Sequence, residues 1–255
     1  YKHDSSGNTV YDADYTDTRN LNYNNQELRD SMINVMEFWI KDTKIDGFRC
    51  DHVDPIPADF WKECITDLRK IKDVFMLAES ENPKFHYAGF DATYAWNIMW
   101  ATVDIAQGKH SLRLLDSVLN QNFLTFPKNA ERMYFTSDHD ENSWNGTEYE
   151  KYGDAAQLFA VFSCTWNGIP LIYSGQELPN KKRLKFFEKD EIDWNGNVEL
   201  HTFYKTLLTL KSNNKSLRGG DPHVLTQIIS HPDDHRVFAY LRKRRSDRVL
   251  VILNC

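Results

Sequence analysis

Three short apolar runs in this chain each lead to an acidic residue, and that pattern leaves few folds open. Gly47-Phe48-Arg49-Cys50 leads to Asp51, Val74-Phe75-Met76-Leu77-Ala78 leads to Glu79, and Met133-Tyr134-Phe135-Thr136 leads into Ser137-Asp138-His139-Asp140. The second run is too short and too apolar for a surface helix and reads as a buried strand. Successive side chains of a strand point to opposite faces, so Arg49 and Asp51 share one face while Phe48 and Cys50 share the other. Asp51, Glu79 and Asp140 then read as three carboxylates delivered to one rim of a parallel barrel.

The segments between these runs supply helices. Residues 1–24 read as loop, rich in Asp, Asn, Tyr and Thr. A helix follows from near Asn24, with Glu27 as a capping-box partner and Leu28, Met32, Val35, Met36, Trp39 and Ile40 on one face. A strand over 45–52 is closed by Pro55 and Pro57, and a helix over 58–71 carries Phe60, Trp61, Cys64, Ile65 and Leu68. Further strands are expected at 74–78, 92–96, 133–136 and 170–173, and helices at 97–107, 111–120, 154–166 and 199–212, with a polar loop over 138–152.

Strands alternating with helices predict parallel βα units. The fold class is therefore α/β, an incomplete TIM (β/α)8 barrel, roughly its second half, occupying 1–221. Five steps are present, so three more are expected upstream of Tyr1. After Gly219-Gly220 the pattern changes to short antiparallel strands at 224–229 and 237–241, the start of a C-terminal β-sandwich domain over 222–255. The chain opens at Tyr1 in polar sequence and stops at Cys255 within an apolar run, which predicts an internal piece of a longer protein.

Composition narrows the function classes. A net charge of −6 offers no basic surplus to neutralise phosphates, which argues against a nucleic-acid partner. The basic clusters Lys181-Lys182-Arg183 and Arg242-Lys243-Arg244-Arg245 read as solvated loop or strand edge. No run approaches the ~20 apolar residues a membrane span needs. Cys50, Cys64, Cys164 and Cys255 form no CxxC pair and have no His at zinc spacing, so Cys50 reads as a buried free thiol. Localisation stays open.

The three motifs together resemble the α-amylase family of glycoside hydrolases, and the resemblance covers most of the chain. Gly47-Phe48-Arg49-Cys50-Asp51 resembles the family's strand-four motif, whose Asp is the nucleophile, and Glu79 matches the strand-five general acid/base. His139-Asp140 match the strand-seven pair that binds sugar hydroxyls and stabilises the transition state. Physical chemistry agrees with the first two roles: an Arg beside Asp51 favours its ionised form, and the apolar approach to Glu79 favours a raised pKa. The resemblance implies retaining hydrolysis of α-glucosidic bonds in starch-like or maltooligosaccharide substrates, with Asp51, Glu79 and Asp140 catalytic. Arg49, His139 and Trp144 would bind substrate, Trp144 through its ring face. No redox or organic cofactor is required.

The chain departs from the family pattern at two places. Asp138 stands where Asn is usual and adds like charge beside Asp140. Pro55 stands where many amylases have a His that helps a structural calcium site, so no metal ligand is assigned; calcium stays an open expectation that these residues neither support nor exclude. Gln176 and Glu177 sit in a segment resembling strand eight, with a structural role the favoured reading; Asp54 reads as a rim or subsite residue. Two other readings compete: a glucan transferase or branching enzyme using the same site, and a non-catalytic barrel relative serving as an interaction protein, which the three retained carboxylates disfavour.

Overall fold

A computed structural model describes residues 1–11, 15, 17–195, 198–230 and 235–255. Residues 12–14 and 16 of the expected N-terminal loop lie outside the described residues. Two compact units are formed, Tyr1–Thr93 and Tyr94–Cys255.

In the first unit helix α1 (Gln26–Thr43) is capped by Asn25, whose side chain accepts the Leu28 N–H at 3.3 Å. The cap thus falls one residue later than expected, and its box position is Leu28 rather than Glu27. Ile33 and Ile40 are buried, and Leu28, Met32 and Met36 pack against the core, but Val35 and Trp39 are about half exposed. The apolar face is therefore narrower than the periodicity implied. Strand β1 (Gly47–Cys50) and strand β2 (Phe75–Ala78) pair in parallel, Gly47 opposite Phe75 through Cys50 opposite Ala78. A Cβ on Gly47 would lie 1.9 Å from the Phe75 carbonyl oxygen, so the close approach of the two strands requires glycine there.

Between them α2 (Ala58–Ile71) buries all five residues expected of it, Phe60, Trp61, Cys64, Ile65 and Leu68. Removing those side chains from water favours the fold by about 10 kcal/mol before the entropy of ordering is counted. The short helix α3 (Lys84–Tyr87) then leads to β3 (Ala92–Tyr94), which pairs in parallel with β2 at Leu77–Ala92 and Ala78–Thr93.

The second unit carries α4 (Trp96–Ala106), α5 (Arg113–Thr125) and β4 (Glu131–Tyr134). The expected loop over 138–152 is instead largely helical, with a π-turn at Glu141–Asn145 and then α6 (Glu148–Tyr152), closed by a reciprocal capping box between Thr147 and Glu150. Helix α7 (Ala156–Thr165) precedes β5 (Ile169–Pro170), which pairs in parallel with β4, and α8 (His201–Asn213) follows. Five strand–helix steps are thus present in the expected order.

Strands β6 (Leu225–Ile229), β7 (Val237–Arg244) and β8 (Asp247–Asn254) form an antiparallel sheet with β7 in the middle. The closing apolar run is the third strand. Arg242 on β7 is not a solvated edge residue: it is fully buried and donates to the Ser216 and Arg218 carbonyls, Asn167 Oδ1 and Thr226 Oγ1. Those acceptors come from segments distant in sequence, and they compensate the guanidinium for lost water. Cys50, Cys64 and Cys164 are buried free thiols, and burial raises the Cys50 and Cys64 thiols to about 12. No helix among the described residues is long and apolar enough to cross a membrane.

Candidate active site

The exit of β1 and the exit of β2 place Arg49, Asp51 and Glu79 in one cluster within the first unit. Arg49 Nη1 lies 2.6 Å from Asp51 Oδ1, and Nη2 lies 2.9 Å from Glu79 Oε1. One planar guanidinium therefore holds both carboxylates, which a lysine ammonium would not do in the same geometry. The other Glu79 oxygen accepts the backbone N–H of His52 at 2.7 Å. His52 makes that contact from φ 45°, a left-handed conformation that non-glycine residues seldom adopt and that often marks functional sites.

The two carboxyls are pushed apart electrostatically. Burial opposes ionisation of Asp51, but the Arg49 hydrogen bond, with one shared with Glu79, outweighs it and holds Asp51 below the usual carboxylate range. Burial is the largest influence on Glu79 and raises its carboxyl, with Asp51 adding to the rise against the His52 N–H and Arg49. Asp51 is well exposed and Glu79 mostly buried, which is why the same guanidinium leaves them on opposite sides of their ordinary values. Asp54, taken from sequence as a rim residue, accepts from the Ser80 hydroxyl at 2.5 Å and pairs with Lys84 at 3.3 Å, fastening the two exits together.

His139, Asp140 and Trp144 belong to the second unit. His139 Nε2 lies 3.2 Å from Asp140 Oδ2, and both side chains are partly open to solvent. Asp138 beside them is buried; its Oδ1 accepts the Glu141 N–H at 2.7 Å while Oδ2 has no hydrogen-bond partner. Burial is the main reason its carboxyl is raised, with Asp140 adding to the effect and the Glu141 N–H, His139 and Lys151 opposing it. Asp138, His139 and Asp140 bring ligand-type atoms within 4.8 Å of one another. Two of the three groups already meet at the His139–Asp140 contact.

Sequence reasoning missed a buried polar layer behind this segment. Thr136 Oγ1 donates to Glu148 at 2.5 Å and accepts from Gln176 at 3.0 Å, and Gln176 also donates to the Tyr204 hydroxyl at 3.2 Å. Gln176 is accordingly structural. Lys151, also buried, lies 3.6 Å from Glu141. The Thr147-Glu148-Tyr149-Glu150 capping signature was the available clue to this layer. Trp96 stacks on buried Tyr94 at 4.4 Å and is core packing, whereas Trp144 is exposed on the π-turn that starts directly after Asp140.

The family described as "Alpha amylase, catalytic domain" has a sequence model that matches residues 3–219. The chain is 27% identical over 242 residues to alpha-amylase MalA of Haloarcula japonica, a match covering 92% of this chain and 35% of that protein. It is 26% identical to a cyclomaltodextrinase of Thermoanaerobacter pseudethanolicus over 90% of this chain and 41% of that one. The chain thus spans well under half the length of these relatives. A maltogenic alpha-amylase, AmyB of Thermotoga neapolitana, has a solved structure that superposes on all of this chain and 59% of its own with a TM-score of 0.88 at 26% identity. With the strand-end carboxylates, the element order and most of the chain's length matched, the chain belongs to the α-amylase family of glycoside hydrolases.

Proposed function

We propose that the full protein hydrolyses α-1,4-glucosidic bonds of starch-like or maltooligosaccharide chains with retention of configuration. The observation that carries this reading is the Arg49 guanidinium bridging two carboxyls whose pKa values are displaced in opposite directions. A nucleophile must stay ionised, and Asp51 is held so; a general acid must keep its proton near neutrality, and Glu79 is pushed that way. Asp51 attacks the anomeric carbon as Glu79 protonates the departing glycosidic oxygen. Glu79, now anionic, takes a proton from water, which displaces the sugar from Asp51. His139 and Asp140 serve the sugar hydroxyls and the positive charge of the transition state. The names of the relatives, amylases and cyclomaltodextrinases, support an α-glucan as substrate. Proton transfer and nucleophile both come from side chains, so the reading uses no cofactor.

The test is turnover of maltoheptaose by the full-length protein and its Asp51→Asn and Glu79→Gln variants. Each substitution should lower kcat by about 10²–10⁴-fold, and the sugar that water frees from Asp51 should appear as the α-anomer before mutarotation. Products longer than the substrate would assign glucan transfer instead of hydrolysis. Undiminished turnover in either variant would remove that residue from its role.

A further inference from the structure

A cavity of about 290 Å³ opens in the second unit where the end of α5, the turn that follows it, the start of β4, Trp166–Asn167 and the chain entering β6 meet. It lies at the N-terminal ends of β4 and β5, whereas His139 and Asp140 follow the C-terminal end of β4. The cavity is therefore separate from the rim that carries them, and nothing in the glucan reading uses it. Its size falls at the small end of the roughly 300–1,000 Å³ that ligand pockets occupy.

Most of its wall is apolar. Leu119 and Trp166 are buried, whereas Phe123 and Leu225 stand 55% and 65% exposed, as residues at a mouth do. Phe126 carries the Arg132 guanidinium over its ring at 4.0 Å, and that guanidinium is fixed in place by donating to the Tyr94 carbonyl at 2.6 Å. A concave apolar wall with a few fixed polar groups is the usual make-up of a small-molecule site.

The polar atoms of the wall define the head group of its ligand. Its carboxyl and amide oxygens are engaged. Asp221 accepts from Arg244 Nε at 2.6 Å and from the His223 N–H at 2.9 Å. Asn167 Oδ1 accepts from Arg242 Nη2 at 3.2 Å, and Asn122 Oδ1 from Asn97 Nδ2 at 2.9 Å. What stays unspent is donor hydrogen: Asn122 Nδ2, Asn167 Nδ2 and the Lys128 ammonium have no protein acceptor among the described residues. A surround that offers donors suits a head group that only accepts, and a carboxylate is such a group.

Charge points the same way. The charged wall residues are Lys128, Arg132 and Asp221, and Arg244 neutralises Asp221. Glu131, which lies against Gly220 of the wall, interacts with the Lys211 ammonium.

We propose that this cavity binds a small monocarboxylate with an aryl or alkyl body, the carboxylate toward Lys128 and Asn167 and the body against Trp166 and Phe123. Because α5, β4 and β6 all contribute wall, an occupant ties the antiparallel sheet to the helix layer and raises resistance to unfolding.

The probe is 3-phenylpropanoate, titrated into the full-length protein by calorimetry, with 3-phenylpropanol as its uncharged counterpart. Saturable one-site binding is expected, about tenfold tighter for the acid than for the alcohol, together with a rise in melting temperature. Lys128→Glu and Phe123→Ala alter exposed residues and should each weaken the acid about fivefold. Asn122→Asp should also weaken it, by placing a like charge beside the head group. A melting temperature near the parent's without probe shows that a variant is folded, and the two exposed variants carry the test if Asn122→Asp is not. Excess maltoheptaose in a Glu79→Gln background should leave the affinity unchanged. Absent binding, displacement by maltoheptaose, equal affinity for the alcohol, or an affinity that none of the variants changes each overturns the site. Failure of the glucan reading leaves this test untouched.

Discussion

Arg49 and Glu79 meet at 2.9 Å between neighbouring strand exits, and the remaining arm of the same guanidinium holds Asp51 at 2.6 Å. Register makes this possible: Arg49 lies opposite Leu77 in the β1–β2 pairing, so its side chain reaches the residue two places beyond.

Arg49→Gln removes a group that lowers both carboxyls. Each of them should then titrate at higher pH, so both limbs of the kcat/KM profile should move upward. The loss of a donor aimed at the reacting charge should cost about 10²-fold in kcat/KM. A profile that keeps its limbs would show that Arg49 does not govern either ionisation.

Asp138→Asn should preserve the reaction and move its pH optimum toward acid. Asn keeps an oxygen for the Glu141 N–H, and the substitution takes away a negative charge that helps to raise the neighbouring Glu141 carboxyl. An unchanged profile would show that Asp138 is neutral throughout the working range. Most turnover should remain in either case, because Asp138 is buried behind the pair rather than open to substrate.

Gly47→Ala should destabilise the fold by about 3 kcal/mol, read as a lowered urea midpoint, because the new methyl falls on the Phe75 backbone rather than on a side chain that can turn away. A midpoint within error of the parent would mean that the strands can separate without cost.

Stability should fall as pH rises because of Glu148. Burial raises its folded-state carboxyl above the unfolded value, against hydrogen bonds from Thr136, Gln176 and Tyr204. The folded protein therefore holds the proton more tightly, and stability is lost as pH climbs from the ordinary carboxylate range through the raised folded value. Glu148→Gln should be more stable than the parent at pH 8, with the difference shrinking in acid. Urea unfolding at several pH values reads this directly, and a parent that gains stability from pH 5 to 8 relative to the variant would contradict it.

Where local pattern decides structure, the sequence was legible. Period-two alternation placed Arg49 with Asp51 and Cys50 in the core, and α2 has the expected bounds because apolar spacing and Pro57 agree there. Trp39 misled because a helix shows the same period whether one stripe or a wider face is covered. The capping box at Thr147 and Glu150 was readable, yet polar composition suggested loop over 138–152. Arg242 was not readable at all: four acceptors from residues 167, 216, 218 and 226 decide its burial, and no window around β7 contains them.

The antiparallel sheet looks, from its strand direction, like a part that could be exchanged. Trp166 at the end of α7 is 1% exposed because Tyr240 and Phe238 cover it, at 4.8 and 5.9 Å between ring centroids, and Thr165 shares a hydrogen bond with Tyr240 at 2.5 Å. A graft that cuts the chain near residue 222 would therefore leave a tryptophan and a hydroxyl bare on the donor side. Moving the sheet of this chain has to carry the α7 terminus along with it, so its seam runs through the end of α7 and not through the glycine pair where the pattern of strands changes.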